Sequence, residues 1–197
     1  MLLVSWNCRG LGNPFKANAV NDLLKMVPSD ILLLQETKVD EEVLLLLSKN
    51  KRKLNSGKAV SARGTCGGLA SLWCEEKFHL KKFFSTQHWI FTELLNVASK
   101  NSISLFNIYV PVNYNDKQIC WRSISEFLKE DSPVNLVLAG DPNISLSPKE
   151  EKKGGQCGKD FMLGFMEEII STWDLNDLKP KFADSLEPTI EQVLQIY

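Results

Sequence analysis

Polar side chains follow four apolar runs of the sequence, at the points where those runs end. They are Asn7, Glu36, Tyr109, Asp141 and Asn143. The Glu36 carboxylate suits a hard cation, because Mg²⁺ needs only one or two protein carboxylates beside phosphate and water. Asp141 can accept a proton from an attacking water that Asn143 and Asn7 orient. Tyr109 can donate a hydrogen bond to a phosphate oxygen as charge builds there. Together these residue types support metal-assisted hydrolysis of a phosphodiester.

Each of these residues, taken alone, also has an ordinary explanation. Asp, Pro, Asn and Gly are the common turn formers, so the segment from Gly140 to Asn143 fits a plain turn. Glu36 fits a solvated loop carboxylate, and the Tyr109 ring can simply pack. For this segment alone the turn is favoured. The active-site interpretation gains weight because further apolar runs end in the same way, and ligands collect where buried strands end. It therefore depends on the strands that precede these residues.

Short apolar runs rich in β-formers predict the strands, and apolar residues at helical spacing predict the helices. The strand–helix–strand order at the start predicts two strands of one mixed sheet, and residues 136–139 predict a strand buried on both faces. Gly67 and Gly68 could let a backbone approach a phosphate or could form a tight hairpin. The predicted strands are residues 2–6, 30–35, 60–63, 69–74, 78–84, 89–97, 102–109 and 136–139, with an extended piece at 173–175; the predicted helices are 19–27, 41–48, 115–129, 161–170 and 190–196.

Composition limits the class of protein. The 197 residues are enough for one domain, and 44% hydrophobic with 24% charged residues is typical of a globular chain. A net charge of −1 means that nucleic-acid binding would need a local basic patch. Five cysteines without a C-x-x-C pair argue against a zinc site or a disulfide scaffold. His79 and His88 lack matching acids and are not predicted to be catalytic. No membrane span or signal peptide is visible, which predicts an intracellular protein with no membrane partner.

Five motifs, in this order and spacing, resemble the endonuclease/exonuclease/phosphatase superfamily: S-W-N-C-R-G-L, L-L-Q-E-T-K, G-G-L-A-x-L-W, N-I-Y-V-P and L-A-G-D-x-N. The chain most resembles the endonuclease domain of plant LINE-type (non-LTR) retrotransposons, including S-P-K-E-E-K-K-G-G after the last motif. The resemblance covers residues 1–180, and residues 181–197 are a divergent tail. It implies an α/β fold of four layers, with two mixed sheets face to face and helices on both outer faces.

The resemblance also implies roles for the strand-end residues. Glu36 would be a ligand of Mg²⁺ or Mn²⁺, and Tyr109 would contact phosphate. Asp141 and Asn143 would position and activate the nucleophile, and Asn7 matches the Asn of the W-N motif. DNA would be the partner, the nucleus the compartment, and no small-molecule cofactor is implied. The oligomeric state stays open.

The chain departs from the superfamily pattern in two places. Pro142 stands where G-D-x-N normally carries Phe, which removes a backbone donor and an apolar anchor. The terminal Ser-Asp-His motif, which completes the metal site, is not found, so the predicted fold is C-terminally incomplete. A missing electrostatic partner commonly lowers rates by orders of magnitude. The expected function is therefore Mg²⁺-dependent DNA endonuclease activity that is weak or absent. The alternatives are a non-catalytic remnant that only binds nucleic acid or a partner, and a phosphatase or phospholipase of the same superfamily.

Overall fold

The fold is described from a computed structural model that covers residues 1–11, 29–42, 53–64, 67–143, 163–176 and 192–195. The helix predicted at 19–27 and most of the helix predicted at 41–48 lie outside these residues. The described residues form nine strands and two helices. The strands are β1 Leu2–Asn7, β2 Ile31–Gln35, β3 Ser56–Val60, β4 Leu69–Trp73, β5 Phe78–Ser85, β6 Trp89–Asn96, β7 Ser102–Tyr109, β8 Leu136–Asp141 and β9 Gln192–Gln195, and the helices are α1 Tyr114–Asp131 and α2 Leu163–Thr172.

The strands form two mixed sheets. The first has the order β3-β4-β2-β1-β9, and the second has the order β5-β6-β7-β8. In the first sheet β1 and β2 are parallel and the other pairs are antiparallel, so the two strands belong to one mixed sheet, as predicted. In the second sheet β7 and β8 are parallel, and the successive strands β5, β6 and β7 are antiparallel. The predicted α/β fold with two mixed sheets is confirmed.

The two sheets face each other across an apolar core. Alternate residues of β1 and β2, such as Leu3, Ile31 and Leu33, belong to the same buried cluster as residues of the second sheet, such as Leu105 and Val137. The other residues of β1 and β2 belong to a separate buried cluster on the opposite face of the first sheet. Both faces of these two strands are therefore apolar, which explains why their sequences lack an alternating pattern.

The chain divides into two compact units. The first contains Met1–Tyr109, Ser132–Asp141 and Lys179–Tyr197, and the second contains Val110–Asp131 and Pro142–Leu178. Both sheets belong to the first unit, and both helices belong to the second. The predicted helix at 115–129 is confirmed by α1, whose buried positions Cys120, Trp121, Ile124 and Leu128 repeat at helical spacing. The predicted helix at 161–170 corresponds to α2. No helix among the described residues is long and apolar enough to span a membrane.

Several local predictions were wrong. The strand predicted at residues 60–63 lies earlier, at β3. The strand predicted to be buried on both faces, β8, buries only Val137 and Ala139, because its one neighbour among the described strands is β7. Residues 173–175 are not a strand: the N–H groups of Trp173 and Leu175 donate to the carbonyls of Ile169 and Ile170 and end α2 in a turn. The helix predicted at 190–196 contains a strand instead, β9, which pairs antiparallel with β1.

Candidate active site

The inner faces of the two sheets change from apolar to polar toward the carboxyl ends of three strands. Side chains alternate along a strand, so every second residue lies on the inner face. The strand β8 runs parallel to β7 with Tyr109 opposite Asp141, which puts these two residues side by side on one face. The inner-face positions run Leu3, Ser5, Asn7 in β1; Leu105, Asn107, Tyr109 in β7; and Val137, Ala139, Asp141 in β8.

A hydrogen bond joins the carboxyl end of β1 in the first sheet to the carboxyl end of β8 in the second sheet. The Asn7 amide nitrogen Nδ2 donates to Asp141 Oδ2 at 3.0 Å, across 134 residues of sequence. The other end of the same amide is fixed too, because Asn7 Oδ1 accepts from the Arg9 N–H at 3.2 Å. Asn7 is buried at 4% exposure, whereas Asp141 is partly exposed. The arrangement leaves a carboxylate that solvent can reach, with one oxygen held by a neutral donor.

Glu36 lies at the end of β2, directly after Gln35, the residue that pairs with Asn7. Its backbone is left-handed, with a φ of 51°, and its carbonyl accepts from the Gly10 N–H at 2.6 Å. Its carboxylate forms an ion pair with Lys38 Nζ at 3.0 Å. A cation bound by Glu36 would therefore share the carboxylate with this ammonium group or displace it.

The paired glycines support the Glu36 loop. The N–H groups of Thr37 and Lys38 donate to the carbonyls of Gly68 and Gly67 at 3.1 and 3.0 Å. A Cβ atom at Gly68 would lie 2.2 Å from Thr37 Oγ1, and Gly68 has a φ of 87°. The close approach seen at these glycines is to a protein loop, and the approach to a phosphate stays a prediction.

Asn143 lies in the second unit, two residues after Asp141 along the chain. Its backbone is left-handed, with a φ of 47°. Its Nδ2 donates to the Val110 carbonyl, and its own carbonyl accepts from Lys117 Nζ at 2.6 Å. The last residue of L-A-G-D-x-N is thus joined, within this unit, to the Val110 of N-I-Y-V-P. Lys117 was not predicted, because a lysine in a helical pattern usually lies on a solvated face.

A buried polar network below the site was also missed. Gln35 Nε2 donates to Asn107 Oδ1 at 2.6 Å and to Ser5 Oγ at 3.1 Å, and Asn107 Nδ2 donates to the carbonyls of Ala70 and Leu34 at 2.8 and 3.2 Å. Gln35 and Asn107 are completely buried. The network links the two sheets: Gln35 lies level with Asn7, and Ser5 and Asn107 lie one inner-face position below Asn7 and Tyr109. The sequence signal for this network is a polar residue inside an apolar run, as in L-L-L-Q and L-F-N-I-Y.

Replacing Asn107 by Leu is expected to lower the free energy of unfolding by about 2–4 kcal/mol. The substitution removes the acceptor for one of the two Gln35 Nε2 hydrogens and the donor to the Ala70 carbonyl, and each buried polar group that loses a partner costs about 1–3 kcal/mol. Denaturant titration of N107L measures the change, and N101L, at an exposed position, is the matched control. An unfolding free energy equal to that of the unmodified protein would contradict the structural role assigned to the network.

Two other kinds of site, a metal cluster and a nucleophilic cysteine, find little support among the described residues. Among the described residues, no three His, Cys, Asp or Glu side chains form a metal-binding cluster. The single carboxylate of Glu36 fits instead a Mg²⁺ ion that takes most of its ligands from water and phosphate. Burial raises the pKa of the Cys120 thiol to about 12, which keeps it protonated and unsuited to act as a nucleophile.

The histidines were predicted not to be catalytic, and that stays a prediction. His79 is exposed on β5. The carbonyl of His88 accepts from the Tyr109 N–H at 2.8 Å, so the backbone of this histidine lies beside a candidate site residue. Sequence separation alone did not reveal that neighbourhood, because the antiparallel pairing of β6 with β7 brings residue 88 to the end of β7.

Comparison with known proteins gives the fold a family. Residues 4–150 match the model of the Endonuclease/Exonuclease/phosphatase family. No curated protein matches the chain. The structure is similar to a 3'-5' exonuclease from Neisseria meningitidis, with 22% identity and a TM-score of 0.55 over 75% of this chain and 59% of that one.

Two further solved structures show the same fold. An AP endonuclease from Leishmania major has 17% identity and a TM-score of 0.60, over 78% of this chain and 58% of that one. A mannosyl-6-phosphatase from Bacteroides thetaiotaomicron has 13% identity and a TM-score of 0.58, over 73% of this chain and 66% of that one. The chain therefore spans less than two thirds of the length of each of these proteins.

Proposed function

Because the chain belongs to the endonuclease/exonuclease/phosphatase family, we propose that it is a Mg²⁺-dependent hydrolase that cleaves phosphodiester bonds of DNA. The observation that carries this proposal is the hydrogen bond from Asn7 to the Asp141 carboxylate, beside Tyr109. This hydrogen bond orients the solvent-accessible Asp141 carboxylate, which can act as a base, at the carboxyl ends of β1 and β8. We further propose an origin in a LINE-type retrotransposon, supported by the resemblance of its motifs, and a nuclear location, which follows from the substrate.

The residues divide the work of hydrolysis among them. Asp141 accepts a proton from the attacking water, whose oxygen forms a bond to phosphorus. The bond to the sugar oxygen breaks, and that oxygen leaves with the electron pair and takes a proton from solvent. Asn7 keeps the carboxylate in place, and Asn143 orients the water. Tyr109 donates to a non-bridging oxygen as its negative charge grows. Glu36 would hold Mg²⁺ or Mn²⁺, which supplies charge stabilisation at the phosphate when bound.

The names of the similar proteins indicate two classes of substrate that we consider for this chain. The exonuclease and the AP endonuclease are nucleases, and the mannosyl-6-phosphatase is a phosphatase. We favour DNA because the motifs around Asp141 resemble those of a retroelement endonuclease. A non-catalytic remnant is the second candidate, favoured by Pro142, which occupies the position where the family carries Phe.

Nicking of supercoiled plasmid in the presence of Mg²⁺ tests the proposal. Glu36→Gln is expected to lower the nicking rate by about 100-fold, since a metal ion at the phosphate supplies several kcal/mol of charge stabilisation. Glu42→Gln removes an exposed carboxylate six residues further on and should leave the rate unchanged. A chelator should stop the reaction of the unmodified protein.

A phosphate monoester, assayed in parallel, separates the candidates. Turnover of DNA but not of the monoester supports the nuclease, and the reverse result supports a phosphatase. A folded protein that hydrolyses neither substrate would identify a non-catalytic remnant. Equal rates for Glu36→Gln and the unmodified protein would exclude Glu36 as a ligand of the metal.

A further inference from the structure

Asn143 has a backbone conformation that needs support. Its φ of 47° lies in the left-handed region, which Asn adopts more readily than most residues but which still costs free energy. The preceding residue, Pro142, has no N–H group to stabilise the turn. Within the second unit, the support comes from the two hydrogen bonds that Asn143 forms with Val110 and Lys117.

Lys117 is an unusual residue for the place it occupies. Its side chain is buried, at 8% exposure, and burying an ammonium group is costly unless hydrogen bonds compensate. It also lies in the first turn of α1, where the helix dipole disfavours a cation. Its ammonium donates to the Asn143 carbonyl at 2.6 Å, a charge-assisted bond of the strong class.

The base of the Lys117 side chain is held rigidly. Asn113 caps α1, with Oδ1 accepting from the Asn115 N–H at 3.0 Å, and the Lys117 N–H donates to the Asn113 carbonyl at 2.9 Å. The ammonium therefore extends from a fixed helix start to a fixed peptide carbonyl. At the other side of Asn143, the bond from Nδ2 to the Val110 carbonyl settles which end of the amide carries the donor.

We propose that Lys117 is a positioning residue that acts through Asn143. It fixes the peptide group of Asn143, so that the amide side chain is presented in one orientation to the attacking water. In this role it replaces support that Pro142 cannot give. The inference rests on the proposed hydrolase function, because only there does the orientation of Asn143 affect a rate.

Lys117→Met is expected to lower kcat by about 10- to 100-fold with little change in KM, because Asn143 acts in the transition state. The melting temperature should fall by no more than about 12 °C, because the substitution leaves the Asn143 carbonyl without this donor, at a cost of about 1–3 kcal/mol. Lys117→Arg keeps the charge and the donor and should recover most of the rate. Lys129→Met, at an exposed lysine of the same helix, is the matched control.

A readout independent of catalysis is the hydrogen exchange of the Asn143 side-chain amide, followed by NMR. Lys117→Met should accelerate this exchange at least about tenfold, and Lys129→Met should not. If the unmodified protein hydrolyses nothing, a local acceleration still supports the positioning role, and it is the hydrolase function that has failed. Unchanged exchange overturns the proposal whatever the activity. A large fall in melting temperature, or an Arg variant as impaired as the Met variant, overturns it as well.

Discussion

Replacing Asp141 by Asn is expected to lower the rate of DNA cleavage by about 100- to 10,000-fold, the usual contribution of a general base. The substitution keeps the shape of the side chain and an oxygen that can accept from Asn7 Nδ2, so the hydrogen bond between the two sheets can persist. What it removes is the capacity to take a proton. The free energy of unfolding should therefore change by less than about 1 kcal/mol, as is usual for partly exposed positions.

Single-turnover nicking of plasmid, with denaturant titration of the same preparations, measures both quantities for Asp141→Asn. Glu93→Gln is the matched control, because Glu93 is also a partly exposed carboxylate with a hydrogen-bond partner, Lys81, at 2.7 Å. It should retain full activity. A nicking rate of Asp141→Asn within about threefold of the unmodified rate would show that another group accepts the proton.

Most strands of the first unit could be predicted because each is a short local run of apolar, β-forming residues. The runs L-L-V-S-W and I-L-L-L-Q are apolar on both faces, and the polar residues that follow them mark the strand ends. That marking placed Asn7 and Asp141 at strand ends, and the structure joins these two residues by a hydrogen bond. Their roles in catalysis come from the family resemblance and stay a prediction.

The remaining features depend on distant parts of the chain. The sequence Q-V-L-Q-I fits a helix as well as a strand. It forms the strand β9 because it pairs with β1, which lies about 190 residues earlier. The half-buried state of β8 follows from its position beside β7 alone among the described strands, which no local pattern records. In the sequence Lys117 resembles a surface lysine, and only the structure shows that it is buried and bonded to Asn143. Burial and partners of this kind are set by tertiary structure, whereas periodicity reports only local structure.

Replacing Gly140 by Ala is expected to destabilise the protein by at least about 3 kcal/mol. The residue has a φ of +126°, and a Cβ atom there would lie 2.1 Å from the carbonyl oxygen and 2.9 Å from the nitrogen of Ile108. A left-handed or otherwise disfavoured φ costs about 1–3 kcal/mol, and relieving overpacking typically costs about as much again. Ile108 is the register partner of Gly140 on β7, so neither backbone can move away without breaking the ladder.

The same substitution should also impair the candidate site, since Asp141 is the next residue and its position depends on that ladder. Denaturant titration of Gly140→Ala, with Gly164→Ala as the control, tests the steric argument. A Cβ atom at Gly164, on α2, would meet nothing within 4 Å, so this variant should be as stable as the unmodified protein or slightly more stable. If both alanine variants unfold at the same denaturant concentration, the close approach of β7 and β8 at Gly140 is not what holds Asp141 in place. If only Gly140→Ala loses stability and nicking together, the glycine of the G-D pair is required for the position of the base that follows it.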